Sequence, residues 1–156
     1  MSGTDLYLRQ ADMSDAMVIL EWRNDKTARE QSFNGDIIDP DSHLKWYKDK
    51  LSDPDSYLYM LMSGGECVGH IRLDIEDRVA KIGYMISPKH RMKGYGTKII
   101  ELCEDKILNR ADRLVAFVKS DNMASAQCFR KNGYTEEIDG ETIRFSKEIG
   151  NVDGNP

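Results

Sequence analysis

The short segment at residues 91–97 constrains this chain more than any other part of its sequence. It reads RMKGYGT and separates an apolar run at residues 79–86 from a run at 97–108 with helical spacing. Two glycines and two cations therefore lie where a strand becomes a helix. The first N–H groups of a helix have no intrahelical partner, and they form the positive end of its dipole. This arrangement predicts an anion site, most often for a phosphate, which glycines allow the backbone to approach closely.

A second motif lies farther along the chain, at residues 122–134, and reads NMASAQCFRKNGY. Together with the pattern Arg91-x-x-Gly94-x-Gly96, it resembles the GNAT superfamily of acyl-CoA-dependent N-acetyltransferases, in which two such motifs occur in this order. The resemblance extends over residues 6–149. It implies an α/β (α+β) fold with a mixed central sheet of about six to seven strands, about four helices, and central strands that splay apart.

The remaining sequence alternates between strand-like runs and runs with helical spacing, which is typical of such a mixed order. Strands are predicted at residues 6–9, 57–62, 67–75, 78–86, 114–118, 134–138 and 141–147. Helices are predicted at residues 12–22, 40–51, 97–108 and 124–131. Ser14 is a candidate cap for the first helix, and residues 24–39 are predicted to be a loop or a short helix. We expect a single domain at residues 1–149, followed by a disordered tail at 150–156.

Composition limits the classes of partner. The chain has 156 residues, of which 31% are charged, and a net charge of −5. This charge argues against a nucleic-acid partner, which needs a basic face. No apolar run is long enough to span a membrane, and the N-terminus lacks the apolar core of a signal peptide. Three widely spaced cysteines do not suggest a metal site or a disulfide framework. We therefore expect a cytoplasmic protein without a metal, either a monomer or a homodimer.

The resemblance implies acetyl-CoA as co-substrate. Main-chain groups of Met85 and Ile86 would bind its pantetheine arm, and the N–H groups of segment 91–97 its pyrophosphate. Asn122 would contact the cofactor or cap the following helix. Many relatives have a tyrosine at the position of Phe129, whose hydroxyl protonates the leaving thiolate. Phenylalanine has no such proton and can only pack against the cofactor. The expected cofactor-binding residues are Met85, Ile86, Arg91, Met92, Lys93, Gly94, Tyr95, Gly96, Thr97, Asn122 and Phe129.

The groups that move protons are left open by the sequence. Either Tyr134 or another hydroxyl replaces the missing acid, or the CoA thiolate leaves unassisted, since a thiol is fairly acidic. The amine must also lose a proton to a base or to water. The strand at residues 78–86 has no Glu or His, and Tyr84 is the proton-active group at its centre. We expect His43 or Tyr84 to act near the amine, because histidine titrates near neutral pH. The other candidate bases are His70, Asp74 and Glu76.

The N-terminal half carries the resemblance that bears on the acceptor. Segments 21–33 and 43–46 look like the branch that acetylates nucleotide-linked amino sugars, a branch that also includes ribosomal-protein and aminoglycoside acetyltransferases. We expect Trp22, Arg23 and Arg72 to bind the acceptor, because arginines bind a diphosphate bidentately and aromatic rings stack on a base. Trp22 and Trp46 can instead be core residues. The alternatives for function are an N-terminal acetyltransferase of a ribosomal or other protein and a non-catalytic acyl-CoA-binding module.

Overall fold

A computed structural model describes residues 5–149, in which a seven-stranded sheet has helices packed on both faces. Its strands, in chain order, are β1 (Leu6–Gln10), β2 (Ser56–Ser63), β3 (Glu66–Glu76), β4 (Val79–Ile86), β5 (Arg113–Lys119), β6 (Thr135–Asp139) and β7 (Thr142–Glu148). Its α-helices are α1 (Ala16–Arg23), α2 (Lys26–Gln31), α3 (Pro40–Ser52), α4 (Tyr95–Cys103) and α5 (Met123–Lys131). Three short 3-10 turns lie at Met13–Asp15, Pro88–His90 and Glu104–Lys106.

The sheet is mixed because of one pair of strands. The strand order is β1-β2-β3-β4-β5-β7-β6, and every neighbouring pair is antiparallel except β4 and β5. These two parallel strands pair only from Val79 opposite Arg113 to Lys81 opposite Val115. Beyond that point they diverge and leave a cleft in the middle of the sheet. The predicted mixed sheet with splayed central strands is confirmed.

Two apolar cores, one on each face, hold the helices to the sheet. The side chains of successive strand residues point to opposite faces, so a central strand contributes to both cores. On one face α4 and α5 pack against the sheet through residues such as Ile99, Ile100 and Phe129. On the other face α1 and α3 pack through residues such as Ile19 and Tyr47. The cleft between β4 and β5 therefore has different helices on its two sides.

Among residues 5–149 there are five α-helices, where about four were expected. The additional one is α2, in the segment predicted to be a loop or a short helix. Its start is fixed by Asp25, whose Oδ2 accepts a hydrogen bond from Ala28 N at 3.1 Å. Before α1 the chain forms a 3-10 turn, and the cap of this turn is Asp12 rather than the predicted Ser14. The carboxylate of Asp12 accepts from Ser14 N at 2.9 Å, so the predicted cap residue is the donor.

The boundaries of α4 also differ from the prediction. The helix begins at Tyr95 rather than at residue 97, because glycine at position 94 can take the left-handed cap conformation. It ends at Cys103, where a 3-10 turn replaces the predicted continuation to residue 108. Within residues 5–149 no helix is both long and apolar enough to cross a membrane, and no cluster of His, Cys, Asp and Glu could hold a metal ion. The tail predicted at 150–156 lies outside the described residues.

Candidate active site

The cleft exposes one edge of β4. Ser87 N, just after the strand, donates to Val68 O of β3 at 2.9 Å. Main-chain groups point alternately to the two sides of a strand, so the groups of Met85 also point to β3. Those of Tyr84 and Ile86 point into the cleft, where an extended amide chain such as pantetheine can pair with them. Ile86 thus fits its expected role, whereas the main chain of Met85 is used by β3 and does not.

The anion site predicted at residues 91–97 forms the start of α4, close to the end of β4. Gly94 occupies the cap position with φ +83°, and no side chain caps this helix. The first main-chain bond of the helix runs from Lys98 N to Gly94 O at 3.2 Å. The N–H groups of Tyr95, Gly96 and Thr97 therefore precede that bond and have no intrahelical acceptor. Together with the helix dipole they can bind a pyrophosphate.

Gly96 is required for a different reason from the one expected. A Cβ atom at this position would lie 2.9 Å from Cys128 Sγ of α5 and 3.5 Å from Tyr84 Cε2 of β4. The close approach that glycine permits is therefore between α4 and its neighbours in the protein. At Gly94, by contrast, a Cβ atom would meet nothing, and the positive φ is the reason for glycine. One glycine thus serves packing and the other serves the turn.

The side chain of Arg91 is turned away from the anion site and towards α2. Its Nη2 atom lies 2.7 Å from Asp25 Oδ2, and this hydrogen bond holds the pKa of Asp25 below its ordinary value. Arg91 can therefore contribute its main-chain N–H to a phosphate, while its charge is used to hold the loop against α2. Met92, with φ 64°, is fully exposed, and Lys93 is exposed as well.

Two residues of the second motif have structural tasks. Asn122 caps α5, because its Oδ1 accepts from Ser125 N at 3.2 Å, which is the alternative considered for it. Phe129 is only 1% exposed, and its ring centroid lies 5.1 Å from that of Tyr134 and 5.2 Å from that of Phe145. A side chain so deeply buried has no surface to offer a cofactor. In this arrangement Phe129 is a core residue, and its expected contact with acetyl-CoA stays a prediction.

A pair of hydroxyl groups lies beside the cleft. Tyr84 Oη and Ser125 Oγ are 2.8 Å apart, and either can be the donor. Burial raises the pKa of Tyr84, so its phenol stays protonated at neutral pH and does not act as a base. Tyr134, the other candidate acid, is buried and its hydroxyl has no partner among residues 5–149. The sequence signal for Ser125 was its place in the second motif.

His43 has no free ring nitrogen. Its Nε2 lies 2.7 Å from Ala16 O, and because a carbonyl can only accept, this nitrogen carries the proton. Its Nδ1, at 3.0 Å, then accepts from Arg23 Nη1. Burial lowers the pKa of His43, which favours the same neutral ring. The Nε2 proton and the Nδ1 lone pair of His43 are thus both used in hydrogen bonds. This geometry argues against His43 as the base and indicates that it holds Arg23 in place.

The residues expected to bind an acceptor divide into two groups. Trp22 is 6% exposed and packs in the core beneath α1, so it is a core residue rather than an acceptor contact. Arg23 and Arg72 instead both contact the ring of Trp46. The sequence had allowed Trp46 to be either a core residue or part of the acceptor site. The Cζ atoms of Arg23 and Arg72 lie 4.5 Å and 5.2 Å from the centre of its ring. Two guanidinium groups and one indole thus form a single cluster.

Asp74 is poorly placed to act as a base. Burial alone would raise its pKa, but hydrogen bonds from Ser56, Arg72 and Lys50, at 2.7, 2.8 and 3.0 Å, lower it. A carboxylate held by three donors is a weak proton acceptor. Its role is to hold Arg72 through the Nε atom.

His70 makes stability depend on pH. Its Nδ1 lies 3.0 Å from Tyr59 O, its Nε2 is buried without a partner in the described part of the chain, and burial lowers its pKa to about 4. The unfolded chain takes up this proton near pH 6.5, whereas the native chain does not. As the pH is lowered from 6.5 to roughly 5, protonation of His70 in the unfolded chain should therefore lower the free energy of unfolding by about 2 kcal/mol. Urea unfolding of wild type and His70→Gln at both pH values tests this; equal losses in the two proteins would contradict it.

A family model and a curated relative match the chain. The model of the acetyltransferase (GNAT) domain matches residues 5–135. The uncharacterized N-acetyltransferase YfmK of Bacillus subtilis is 28% identical over 94 residues, which are 60% of this chain. The match spans 64% of the length of that relative.

Solved structures share the fold over nearly the whole chain. The ribosomal L7/L12 alpha-N-protein acetyltransferase RimL in complex with CoA superposes with a TM-score of 0.81 at 19% identity, covering 96% of this chain and 97% of that one. Spermidine N-acetyltransferase from Vibrio cholerae, in complex with CoA and spermine, gives 0.81 at 20% identity, covering 92% and 95%. AAC(6')-Ib with paromomycin and acetyl-CoA gives 0.80 at 18% identity, covering 92% and 93%. Since the family model covers most of its length, the chain belongs to the GNAT acetyltransferase family.

Proposed function

We propose that the chain transfers an acetyl group from acetyl-CoA directly to a primary amine of a small molecule. The supporting observation is the divergence of β4 from β5 after Lys81, beside the unpaired N–H groups that begin α4. In this reaction the amine nitrogen attacks the thioester carbonyl carbon and the C–S bond breaks. The nitrogen loses one proton, and the departing thiolate gains one. Binding both reactants in one cleft supplies the positioning on which such a direct transfer depends.

The hydroxyl pair of Tyr84 and Ser125 is our candidate source of the thiolate proton. It takes the place of the tyrosine that many relatives have at position 129, and the support is that its two hydroxyls lie 2.8 Å apart and can pass a proton between them.

For the amine proton, His43 and Asp74 have no freely accepting atom and Tyr84 keeps its proton. Two candidates remain. His70 Nε2 has no partner among residues 5–149, but burial lowers the pKa of His70 to about 4, which makes it a weak base, and Glu76 lies opposite Val79 at the closed end of the cleft. We therefore assign its removal to water, so that the neutral fraction of the acceptor amine sets the rate below the pKa of that amine.

Removal of both hydroxyls is expected to lower kcat by at least about tenfold, since general acids typically contribute more than that. The variant is Tyr84→Phe with Ser125→Ala, measured by single-turnover thiol release with saturating acetyl-CoA. The dissociation constant for acetyl-CoA should stay within about threefold, or roughly 0.6 kcal/mol, of wild type. Ser52→Ala, which removes a serine hydroxyl at the end of α3, should behave like wild type. An unchanged kcat in the double variant would mean that the thiolate leaves unassisted.

For the acceptor we propose a nucleotide-linked amino sugar. The support is the cluster of Arg23, Arg72 and Trp46, since a diphosphate suits arginines and a base or sugar ring suits an indole face. The structural neighbours differ among themselves, because their names specify a ribosomal protein in one case and spermidine in another. The alternatives therefore remain an N-terminal protein acetyltransferase and an acyl-CoA-binding module without turnover. A cytoplasmic location and a monomeric or homodimeric state also remain predictions.

A thiol-release screen with acetyl-CoA tests this assignment. The acceptors are amino sugars, their nucleotide conjugates, peptides with free N-termini, polyamines and aminoglycosides, each corrected for release without acceptor. We expect the highest kcat/KM for a nucleotide-linked amino sugar. Acetylation of a peptide N-terminus with no turnover of any amino sugar would contradict the acceptor while sparing the reaction. Binding of acetyl-CoA without turnover of any amine would contradict the reaction itself.

A further inference from the structure

We propose that Arg23, Arg72 and Trp46 form an anion subsite, which binds a phosphate or carboxylate group carried by the amine acceptor. This inference rests on the proposed function for the identity of the ligand as an acceptor. It goes further in naming what the acceptor must carry, whatever its sugar or nucleotide part.

The two guanidinium groups are close to each other because they share one ring. Cζ of Arg23 is 4.5 Å and Cζ of Arg72 is 5.2 Å from the centre of Trp46. The two like charges repel each other, because Arg72, after the larger effect of burial, lowers the pKa of Arg23. An oxyanion between or beside them would remove that repulsion, and each guanidinium has parallel N–H donors for it.

The positive charge of this cluster is not balanced inside the protein. Within residues 5–149 Arg23 forms no ion pair with a carboxylate, and its side-chain bond goes to the neutral His43 ring. Arg72 pairs with Asp74 through Nε at 2.8 Å, so its two Nη groups are not used in that pair. Asp74 is shared with Lys50 at 3.0 Å. Arg72 and Lys50 therefore share one carboxylate and Arg23 has none, in a chain whose net charge is −5.

The cluster lies on the face of the sheet opposite the anion site of α4. A Cβ atom at Gly83 of β4 would lie 3.3 Å from Arg72 Nη2, so this guanidinium lies on the strand just past Lys81, where β5 leaves it. Side chains alternate along β4, and Met85, two residues after Gly83, packs in the core of α1 and α3. The cluster is therefore on the face opposite α4 and α5, which makes the acceptor rather than CoA its ligand.

His43 is the positioning residue of this subsite. Its Nε2–H is fixed by Ala16 O, so its Nδ1 lone pair holds Arg23 Nη1 at 3.0 Å. We expect His43→Ala to raise the KM for the acceptor at least tenfold with a smaller effect on kcat. The pH profile of kcat should keep its shape, because a residue that only holds Arg23 does not take the amine proton. Loss of an acidic limb from that profile would return His43 to the role of base.

Binding of an anion to the CoA-saturated protein tests the subsite without any turnover. Inorganic pyrophosphate is titrated calorimetrically after CoA has filled the site at α4. Wild type should bind it, and Arg23→Gln and Arg72→Gln should bind it at least tenfold more weakly. Arg113→Gln is the control, because it removes one positive charge at the closed end of the cleft, where β4 and β5 still pair. Should Arg23→Gln not fold, Arg72→Gln, whose side chain is 29% exposed, carries the test alone.

Matched amines then identify the anion. Glucosamine 6-phosphate is compared with glucosamine, and β-alanine with its amide, by kcat/KM with saturating acetyl-CoA. We expect at least a tenfold preference for the charged member of one pair, and loss of that preference in the arginine variants. The proposal is overturned if CoA-saturated wild type binds no pyrophosphate, if polycationic amines are preferred, or if the arginine variants bind acetyl-CoA more weakly. Pyrophosphate binding without thiol release from any amine would preserve the anion site and reject the proposed function.

Discussion

Replacing Gly96 by valine is expected to abolish measurable acetyl-CoA binding. The new Cβ atom would lie 2.9 Å from Cys128 Sγ and 3.5 Å from Tyr84 Cε2, so the first turn of α4 must move away from α5 and β4. That turn contains the N–H groups that precede the first helical bond, and they would no longer converge on the pyrophosphate. Overpacking of this kind also costs about 1–3 kcal/mol of folding free energy. Calorimetry with acetyl-CoA and urea unfolding measure the two effects.

Two further variants separate packing in the protein from close approach to the ligand. Gly65→Val is the control, because a Cβ atom in this hairpin turn would meet nothing within 4 Å, and it should bind acetyl-CoA like wild type. Gly96→Ala combined with Cys128→Ala removes the sulfur atom that the new methyl group would strike. If packing is the reason for Gly96, this double variant should bind acetyl-CoA more tightly than Gly96→Ala alone. No recovery would indicate that the ligand itself requires the bare backbone.

Phe129→Ala is expected to lower the free energy of unfolding by about 3–5 kcal/mol, the usual range for truncation of a fully buried aromatic residue. The ring is stacked on Phe145 and meets Tyr84 and Tyr134 edge to face, so its removal leaves a cavity between α5 and the sheet. Urea unfolding measures the loss. Phe117→Ala is the control, since that ring is 41% exposed on β5 and its truncation should cost about 1 kcal/mol or less. A small loss at position 129 with much weaker acetyl-CoA binding would place the ring at the cofactor after all.

Much of the fold could be predicted because it depends on local pattern. Strand-like runs between turn residues marked each strand, and the glycine-rich segment after β4 marked the beginning of α4 to within two residues. The divergence of β4 and β5 came from the family resemblance, since nothing in the spacing of apolar residues specifies where two parallel strands cease to pair. The cap of the first 3-10 turn was misassigned because Asp12 and Ser14 are both good caps, and their shared hydrogen bond decides between them.

The site was harder to predict because its contacts join distant residues. Arg91 meets Asp25, Tyr84 meets Ser125, and Arg23 meets His43, at sequence separations of 66, 41 and 20 residues. Sequence spacing does not show that both nitrogens of a histidine are occupied, or which of two tryptophans reaches the surface. Side-chain types therefore indicated the chemistry of the site, whereas the three-dimensional contacts assigned the roles of individual residues.

We expect the cleft between β4 and β5 to bind acetyl-CoA and to deliver its acetyl group to an amine. The most direct measurement is a calorimetric titration of the wild-type chain with acetyl-CoA, followed in the same sample by thiol release when the acceptor amines are added. We predict saturable binding of one acetyl-CoA per chain, absent in Gly96→Val and present in Gly65→Val, and thiol release that depends on an amine. Absence of binding heat with millimolar acetyl-CoA, in a chain shown to be folded, would contradict this account.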